Sequence, residues 1–332
     1  MWWVRTLAII ASLVLLGACA VFGWGWAPDI ERRVLISDYT NSASRFLTAE
    51  PGLHIHVRDE GCLTCPAIML VHGSNASLHT WEPWVSLLGD EWRLVSLDLP
   101  GHGLTGPHPT GDYSLDGAVE VVEFVRSELG LDRMHLAGNS RGGRVALHYA
   151  QAHPDHLDSL ALIAASGVPP AEEAEPETES LAYRMAQSPT LGPVLTRFLP
   201  RSWVETGVRD SFVDQGVVTE RMIDRYWHLL RHPGNRQATL TRYALPRDYS
   251  AYERAAEVAL PVLLMWGEAD ALVPVEHAHA FGRALPLSRV LIYPGVGHVP
   301  MEEIPEQSAT DYVGFLNALD SLSTAQDVAS VR

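Results

Sequence analysis

Ser140 stands in Gly138-Asn139-Ser140-Arg141-Gly142, a G-x-S-x-G pattern. A serine hydroxyl is a weak nucleophile alone and becomes a strong one when a base takes its proton and an acid orients that base. The surroundings suit such a serine. The apolar run 134–137 reads as a strand and the residues from Gly143 as a helix, so Ser140 would occupy a sharp strand-to-helix bend. Glycine two positions away on each side keeps Cβ atoms out of that bend. The following helix N-terminus favours negative charge developing on a bound carbonyl. A glycine-rich junction with an incidental serine would share the letters but not the flanking strand and helix.

His298 is the candidate base. It follows the last strand-like run, 290–293, in Pro294-Gly295-Val296-Gly297-His298. With 15 histidines in the chain, position rather than residue type singles it out. Asp270 is the candidate acid, in Trp266-Gly267-Glu268-Ala269-Asp270 after the run 262–266, and Glu268 is its rival nearer the strand end. No carboxylate closely follows the run that ends at Ala164, the other common place for the acid. An oxyanion hole needs two backbone donors. Arg141, next after Ser140, supplies one. Ser74, in His72-Gly73-Ser74-Asn75 after the run 68–71, supplies the other, with Asn75 as the alternative. The Arg141 side chain is expected to point outwards as a surface charge, although it could reach a pocket wall or an acidic substrate group.

These motifs need a scaffold that brings strand ends together. Short apolar runs at 68–71, 93–97, 134–137, 160–164, 262–266 and 290–293 alternate with helical spacing at 114–129, 145–153, 275–285 and 306–319. Ser114 opens the first of these helices as a cap. Buried strands separated by amphipathic helices imply a mostly parallel sheet covered on both faces, an α/β fold. The alternation breaks between Val168 and Ser250, where Pro169-Pro170 and an acidic run, 172–175, lead into helical pattern without strands. The expected organisation is an anchor or signal over 1–26, a connector over 27–52, core over 53–167, a helical cap over 168–250, core over 251–320 and a fraying tail over 321–332.

The chain has 332 residues, 47% of them hydrophobic and 19% charged, enough for one large globular body. All 24 basic residues are arginine, so Schiff-base chemistry, a Ser-Lys pair and a lysine phosphate loop are excluded. The net charge of -16 makes nucleic acid an unfavourable partner.

Between Met1 and Trp26 the one charged side chain is Arg5, and 6–22 is almost wholly apolar between Trp2-Trp3 and Trp24, Trp26. That is close to the ~20 residues of a spanning helix with aromatic ends. Leu16-Gly17-Ala18-Cys19 also resembles a lipobox, which would acylate Cys19. Either way the protein is expected at a membrane with its body exported. Cys62-Leu63-Thr64-Cys65 falls in a hairpin-turn position between strand-like stretches, which suits a local disulfide better than redox chemistry. His54 with His56, and His277 with His279, lack a third ligand nearby and read as surface histidines, so neither metal nor cofactor is expected.

Taken together, His72-Gly73, Asp98-Leu99-Pro100-Gly101-His102-Gly103, the Ser140 pentapeptide, Trp266 to Asp270 with Val273-Pro274, and Gly297-His298 followed by Glu303 and Pro305 resemble the α/β-hydrolase fold family over about 53–319. The resemblance implies a sheet of about eight strands, a Ser-Asp-His triad, a helical cap, and a structural turn at 98–103. Methionine or another uncharged residue is frequent where this chain has Arg141. A serine nucleophile disfavours the dehalogenase and epoxide-hydrolase branches. Carboxylic-ester hydrolysis is the expected reaction. C–C hydrolysis of ring-fission products is the alternative, suggested by Gly138-Asn139-Ser140, and a non-catalytic membrane-tethered scaffold is the second alternative. The expected partner is a small ester with an apolar acyl or aromatic group. Met185, Phe198, Trp203, Phe212, Met222, Tyr226 and Trp227 are cap residues from which the pocket lining would be drawn.

Overall fold

Eight strands make one sheet: β1 (Ser44–Ala49), β2 (Leu53–Gly61), β3 (Ala67–Val71), β4 (Arg93–Leu97), β5 (Met134–Asn139), β6 (Leu157–Ile163), β7 (Val262–Gly267) and β8 (Ser288–Tyr293). Their order is β1-β2-β4-β3-β5-β6-β7-β8. β2 pairs antiparallel with both β1 and β4, and every other pairing is parallel. β3, β5 and β7 are buried along their whole length, as parallel strands with helices on both faces must be. The computed structural model describes residues 2–170, 188 and 192–330. Side chains at 4, 8–11, 13–16, 18, 20–21, 193, 195 and 322–330 fall outside that description.

The helices are α1 (Trp2–Gly25), α2 (Arg32–Tyr39), α3 (Glu82–Leu88), α4 (Leu115–Glu128), α5 (Arg141–Ala152), α6 (Gly192–Leu195), α7 (Arg201–Arg209), α8 (Glu220–Leu230), α9 (Asn235–Ala244), α10 (Ser250–Glu253), α11 (Glu276–Ala284), α12 (Pro300–Glu303) and α13 (Pro305–Ser330). Ser114 caps α4 by accepting from the Gly117 amide at 3.0 Å. Helices α6 to α10 lie between β6 and β7 in the chain. The acidic run at 172–175 and Met185 lie outside the described residues.

Three local expectations need correction. The connector contains α2 and β1. α2 buries only Leu35, against Leu104 and Leu229 far along the chain, so no local periodicity announces it. β1 is an edge strand without a fully buried residue, and its pairing with β2 creates it. The last helix runs past Leu319 to Ser330, because no glycine or proline follows Gly314 to stop it. His56 is not on the surface. Its ring is buried, stacked 5.2 Å from Phe46 of β1 and bonded through Nδ1 to Asp98 at 2.7 Å, whereas His54 is exposed.

At the N-terminus, the α1 backbone is helical over 24 residues. Among the described residues no helix is long and apolar enough to cross a membrane. Most of the side chains on which a spanning segment depends, between Ala8 and Val21, lie outside the described residues. The end of α1 meets the cap: Leu199 N donates to Gly25 O at 2.8 Å and Ala27 N to Arg197 O at 2.7 Å. Cys62 and Cys65 form a disulfide between β2 and β3, with Cα atoms 5.4 Å apart.

The turn after β4 is organised by one carboxylate. Asp98 is fully buried; Oδ1 accepts from Leu78 N at 2.8 Å, and Oδ2 accepts from Leu104 N at 2.9 Å and from His56. Burial alone would push this carboxyl up, but the His56 hydrogen bond and neighbouring histidines hold it well below the usual range. Asp98→Ala is expected to lose about 3–5 kcal/mol in urea denaturation at pH 7. The folded-state pKa is depressed, so this stability is present above the unfolded value of about 3.9 and disappears as pH falls below it. The difference between wild type and Asp98→Asn should therefore shrink on acidification through pH 4.

Candidate active site

The bend between β5 and α5 holds Ser140 at φ 54°, ψ -117°, a left-handed conformation that a non-glycine residue adopts only when its surroundings impose it. Those surroundings are crowded backbone. A Cβ on Gly138 would lie 2.2 Å from the Gly142 carbonyl oxygen, and a Cβ on Gly142 would lie 2.2 Å from that of Val71. A Cβ on Gly73 would stand 3.0 Å from Ser140 Cβ, so the loop after β3 touches the serine. Ser140 N donates to Ile163 O at 2.9 Å, and Ser140 O accepts from Ser166 N at 3.0 Å, tying the bend to the end of β6.

The ends of β7 and β8 deliver the two other groups to the same edge. His298 Nδ1 is 2.8 Å from Asp270 Oδ2, and both side chains are buried. Asp270 Oδ1 accepts from Leu272 N at 2.8 Å and Val273 N at 2.9 Å, so the carboxylate is fixed by its own loop while it orients the ring. Glu268, the rival acid, is exposed. Asn139 Nδ2 donates to the His298 carbonyl at 3.1 Å, which joins the histidine loop to the residue before Ser140. Among the described residues no hydrogen bond joins Ser140 Oγ to His298; such contacts commonly tighten only with substrate bound.

Glu303 supports this arrangement from behind. Oε2 accepts from Gly297 N at 2.8 Å, and Oε1 accepts from Val213 N at 2.9 Å and Asp214 N at 2.7 Å. His298 N donates to Ser211 O at 2.8 Å. The histidine loop is thus stitched to the cap segment after α7. Sequence reasoning noted Glu303 as part of a motif but missed this task, because the cap amides that donate to it, Val213 and Asp214, are far away in sequence.

On the other side, neither the Arg141 nor the Ser74 amide donates a hydrogen bond among the described residues, which leaves both available to an oxyanion. Asn75 adopts φ 59°; its amide nitrogen donates to Tyr243 Oη at 3.2 Å and its Oδ1 accepts from Arg242 Nη2 at 3.1 Å. Arg242 and Tyr243 sit on or beside α9 of the cap, and nothing in their local sequence marked them. His72 Nε2 accepts from Leu99 N at 3.0 Å and Nδ1 lies 2.7 Å from Gly73 O, so this ring is a neutral structural brace. Burial also lowers its pKa.

The Arg141 side chain contradicts the outward orientation expected of it. It is 7% exposed, turned inwards, and donates from Nη2 to Tyr113 O at 3.0 Å. The helix start that presents the Arg141 amide to the site forces its side chain under Tyr113. Burial, then the nearby charges of Arg242 and Arg144, push its pKa down to about 9, which leaves it charged at neutral pH. Pro100, Asp112, Tyr113, Ser114 and Ala118 surround it.

Among the described residues one set of metal-ligand types converges, Glu123, His153 and His156, with ligand atoms within 4.8 Å of one another. Glu123 is already held by Arg126 at 2.7 Å and by Tyr149 Oη at 2.6 Å. His153 lies at the far end of α5 from Ser140, about 18 Å along the helix.

Comparison with known proteins supplies independent findings. A family model described as alpha/beta hydrolase fold matches residues 66–191. The chain is 26% identical over 331 residues to monoacylglycerol lipase abhd6-B of Xenopus laevis, covering 96% of this chain and 93% of that protein. A solved membrane phospholipase A, titled a novel bacterial virulence factor, is 25% identical with a TM-score of 0.69 over 95% of this chain and 98% of its own. A meta-cleavage product hydrolase from Pseudomonas fluorescens IP01 superposes with a TM-score of 0.67 over 83% of this chain and 97% of its own. At 20% identity it bears on the fold alone.

The steric account of the bend is testable by glycine replacement. Gly142→Ala should be destabilised by several kcal/mol, at the upper end of about 1–3 kcal/mol for ordinary overpacking or beyond it, because backbone must move. Gly314→Ala, exposed in α13 with nothing within 4 Å of its new Cβ, should instead gain up to about 1 kcal/mol. Chemical denaturation of the two variants checks both.

Proposed function

The chain belongs to the α/β-hydrolase fold family, and from that premise we propose that it hydrolyses carboxylic esters through an acyl-enzyme on Ser140. The observation that carries this reading is the His298–Asp270 hydrogen bond at 2.8 Å on a loop joined to Asn139, the neighbour of Ser140. In the proposed reaction His298 Nε2 takes the Ser140 proton as Oγ attacks the ester carbonyl. Asp270 holds the ring through Nδ1 and stabilises the imidazolium. The Arg141 and Ser74 amides receive the oxyanion. His298 returns the proton to the leaving alcohol, and water then attacks the acyl-enzyme with the same ring as base. Names of similar proteins agree with ester chemistry: a monoacylglycerol lipase and a phospholipase A are both ester hydrolases.

Ser140→Ala should lower turnover of a p-nitrophenyl ester by about 10³-fold or more with an unchanged melting temperature. A fluorophosphonate probe should label wild type and not the variant. Undiminished turnover in Ser140→Ala would remove this serine from the reaction, and an unreactive wild type would support a scaffold. C–C hydrolysis is the second reading, favoured by Gly138-Asn139-Ser140. A vinylogous ring-fission diketone assayed beside the esters separates the two, since the C–C reading requires it to be the better substrate.

We also propose that α1 tethers the protein to a membrane with the body exported. Its 24 helical residues extend about 36 Å, more than a hydrocarbon core of about 30 Å, and its sequence is apolar over 6–22. The Cys62–Cys65 disulfide suits an oxidising compartment. Full-length protein should remain in the membrane pellet after alkaline carbonate extraction, and protein starting at Ala27 should not. Release of the full-length chain by carbonate would overturn the tether. The mass of the mature N-terminus distinguishes an intact helix from acylation at Cys19.

A further inference from the structure

Two arginines beside Ser140 are buried without a counter-ion. Arg141 and Arg242 are each 7% exposed, and among the described residues neither forms an ion pair. Most other arginines of this acidic chain do: Arg58 with Glu82, Arg93 with Asp59, Arg126 with Glu123, Arg225 with Glu302 and Arg236 with Asp29. A guanidinium has five N–H donors. Arg141 places one, on the Tyr113 carbonyl. Arg242 uses Nη1 on His102 Nε2 and Nη2 on Asn75 Oδ1, while its buried Nε has no partner. His102 cannot neutralise it. Nδ1 faces Pro100 O at 3.0 Å, and burial with the Arg242 charge keeps the ring neutral.

The two cations also act on each other: Arg242 is the charge that most depresses Arg141. Arg144, one turn along α5 from Ser140, adds a third positive charge, offset by the nearby Asp248 carboxylate, and its Nη1 donates to the Asp248 backbone carbonyl at 3.4 Å. Asp112 lies near Arg141, but it accepts from Ser114 N at 2.9 Å and is no ion-pair partner. Taking unpaired cations out of water is costly, and placing like charges together adds to the cost. An arrangement of this kind is relieved by an anion, for which a guanidinium fork is the best-matched donor.

Position decides which anion matters. The Arg141 backbone follows the nucleophile directly, and Arg242 grips Asn75, next to Ser74 on the loop that touches Ser140. We propose that Arg141 and Arg242 form an anion-binding subsite beside Ser140 that receives a carboxylate or phosphate group carried by the substrate. The inference rests on the ester reading for its substrate and extends it from esters in general to esters bearing an anionic group near the scissile bond. Arg141 lies at the start of α5 in the core and Arg242 on α9 of the cap.

The test uses full-length protein and two p-nitrophenyl esters of equal acyl length, one ending in a carboxylate and one in a methyl group. The anionic ester should be preferred in kcat/KM. Arg242→Gln should erase about tenfold of that preference, mainly through KM, and Arg242→Lys should retain more of it. Thermal shift of Ser140→Ala with inorganic phosphate and with succinate, against chloride at equal ionic strength, shows which anion the subsite prefers. Stabilisation by either one, absent when Arg242→Gln is added, supports the subsite. If neither ester is turned over but an anion still stabilises through Arg242, the subsite stands and the ester reading fails. Should Arg242→Gln not fold, the wild-type preference and competition by succinate carry the decision. Turnover of the neutral ester at or above the anionic rate, with no stabilisation by either anion, overturns the proposal.

Discussion

Everything at the site depends on backbone passing backbone at the end of β5. Ser140 is held at positive φ because Gly138 and Gly142 let the strand, the helix start and the loop after β3 approach more closely than any Cβ would allow. That contact has two consequences. It projects the Ser140 hydroxyl from the sheet edge, and it leaves the Arg141 amide at a helix start with no partner of its own. Strain of this kind persists only where surrounding structure over-determines it. Here the constraint comes from hydrogen bonds to Ile163 and Ser166 at the end of the adjacent strand.

The cap is part of the site's construction as well as its cover. Glu303 accepts from the histidine loop with one oxygen and from cap amides with the other, and His298 itself donates to Ser211. On the opposite side, Arg242 and Tyr243 hold Asn75 in the left-handed conformation that continues the Ser74 loop. The His298 loop and the Ser74 loop are therefore both referenced to the inserted helices. A shift of the cap would be felt at both loops.

Charge is distributed unevenly in this scheme. The protein as a whole is strongly acidic, and most arginines are balanced by carboxylates on the surface or in half-buried pairs. Next to Ser140 the balance is missing, with two guanidinium groups enclosed by Tyr113, His102 and Asn75 instead. Neutral acceptors and the Tyr243 ring, 5.2 Å from the Arg242 guanidinium, partly satisfy these groups but supply no carboxylate counter-ion, which distinguishes this region from an ordinary buried ion pair.

Sequence alone determined the alternation of strands and helices, the bend around Ser140, the strand ends that carry Asp270 and His298, and the helix cap at Ser114. Each of these is encoded in local periodicity or in glycine and serine at fixed offsets. Asp270 was already preferred to Glu268 on sequence position, and the coordinates add that Asp270 turns inwards onto His298 while Glu268 is exposed. α2 and β1 were invisible because their partners, Leu229 and the β2 strand, are supplied by other parts of the chain. His56 and Arg141 read as surface residues because polarity predicts exposure. Tertiary structure reversed both by surrounding them with hydrogen-bond acceptors, Asp98 for the first and the Tyr113 carbonyl for the second. Local pattern specifies where an element begins and which way it faces, whereas the company a polar side chain keeps is decided by segments that meet only after folding.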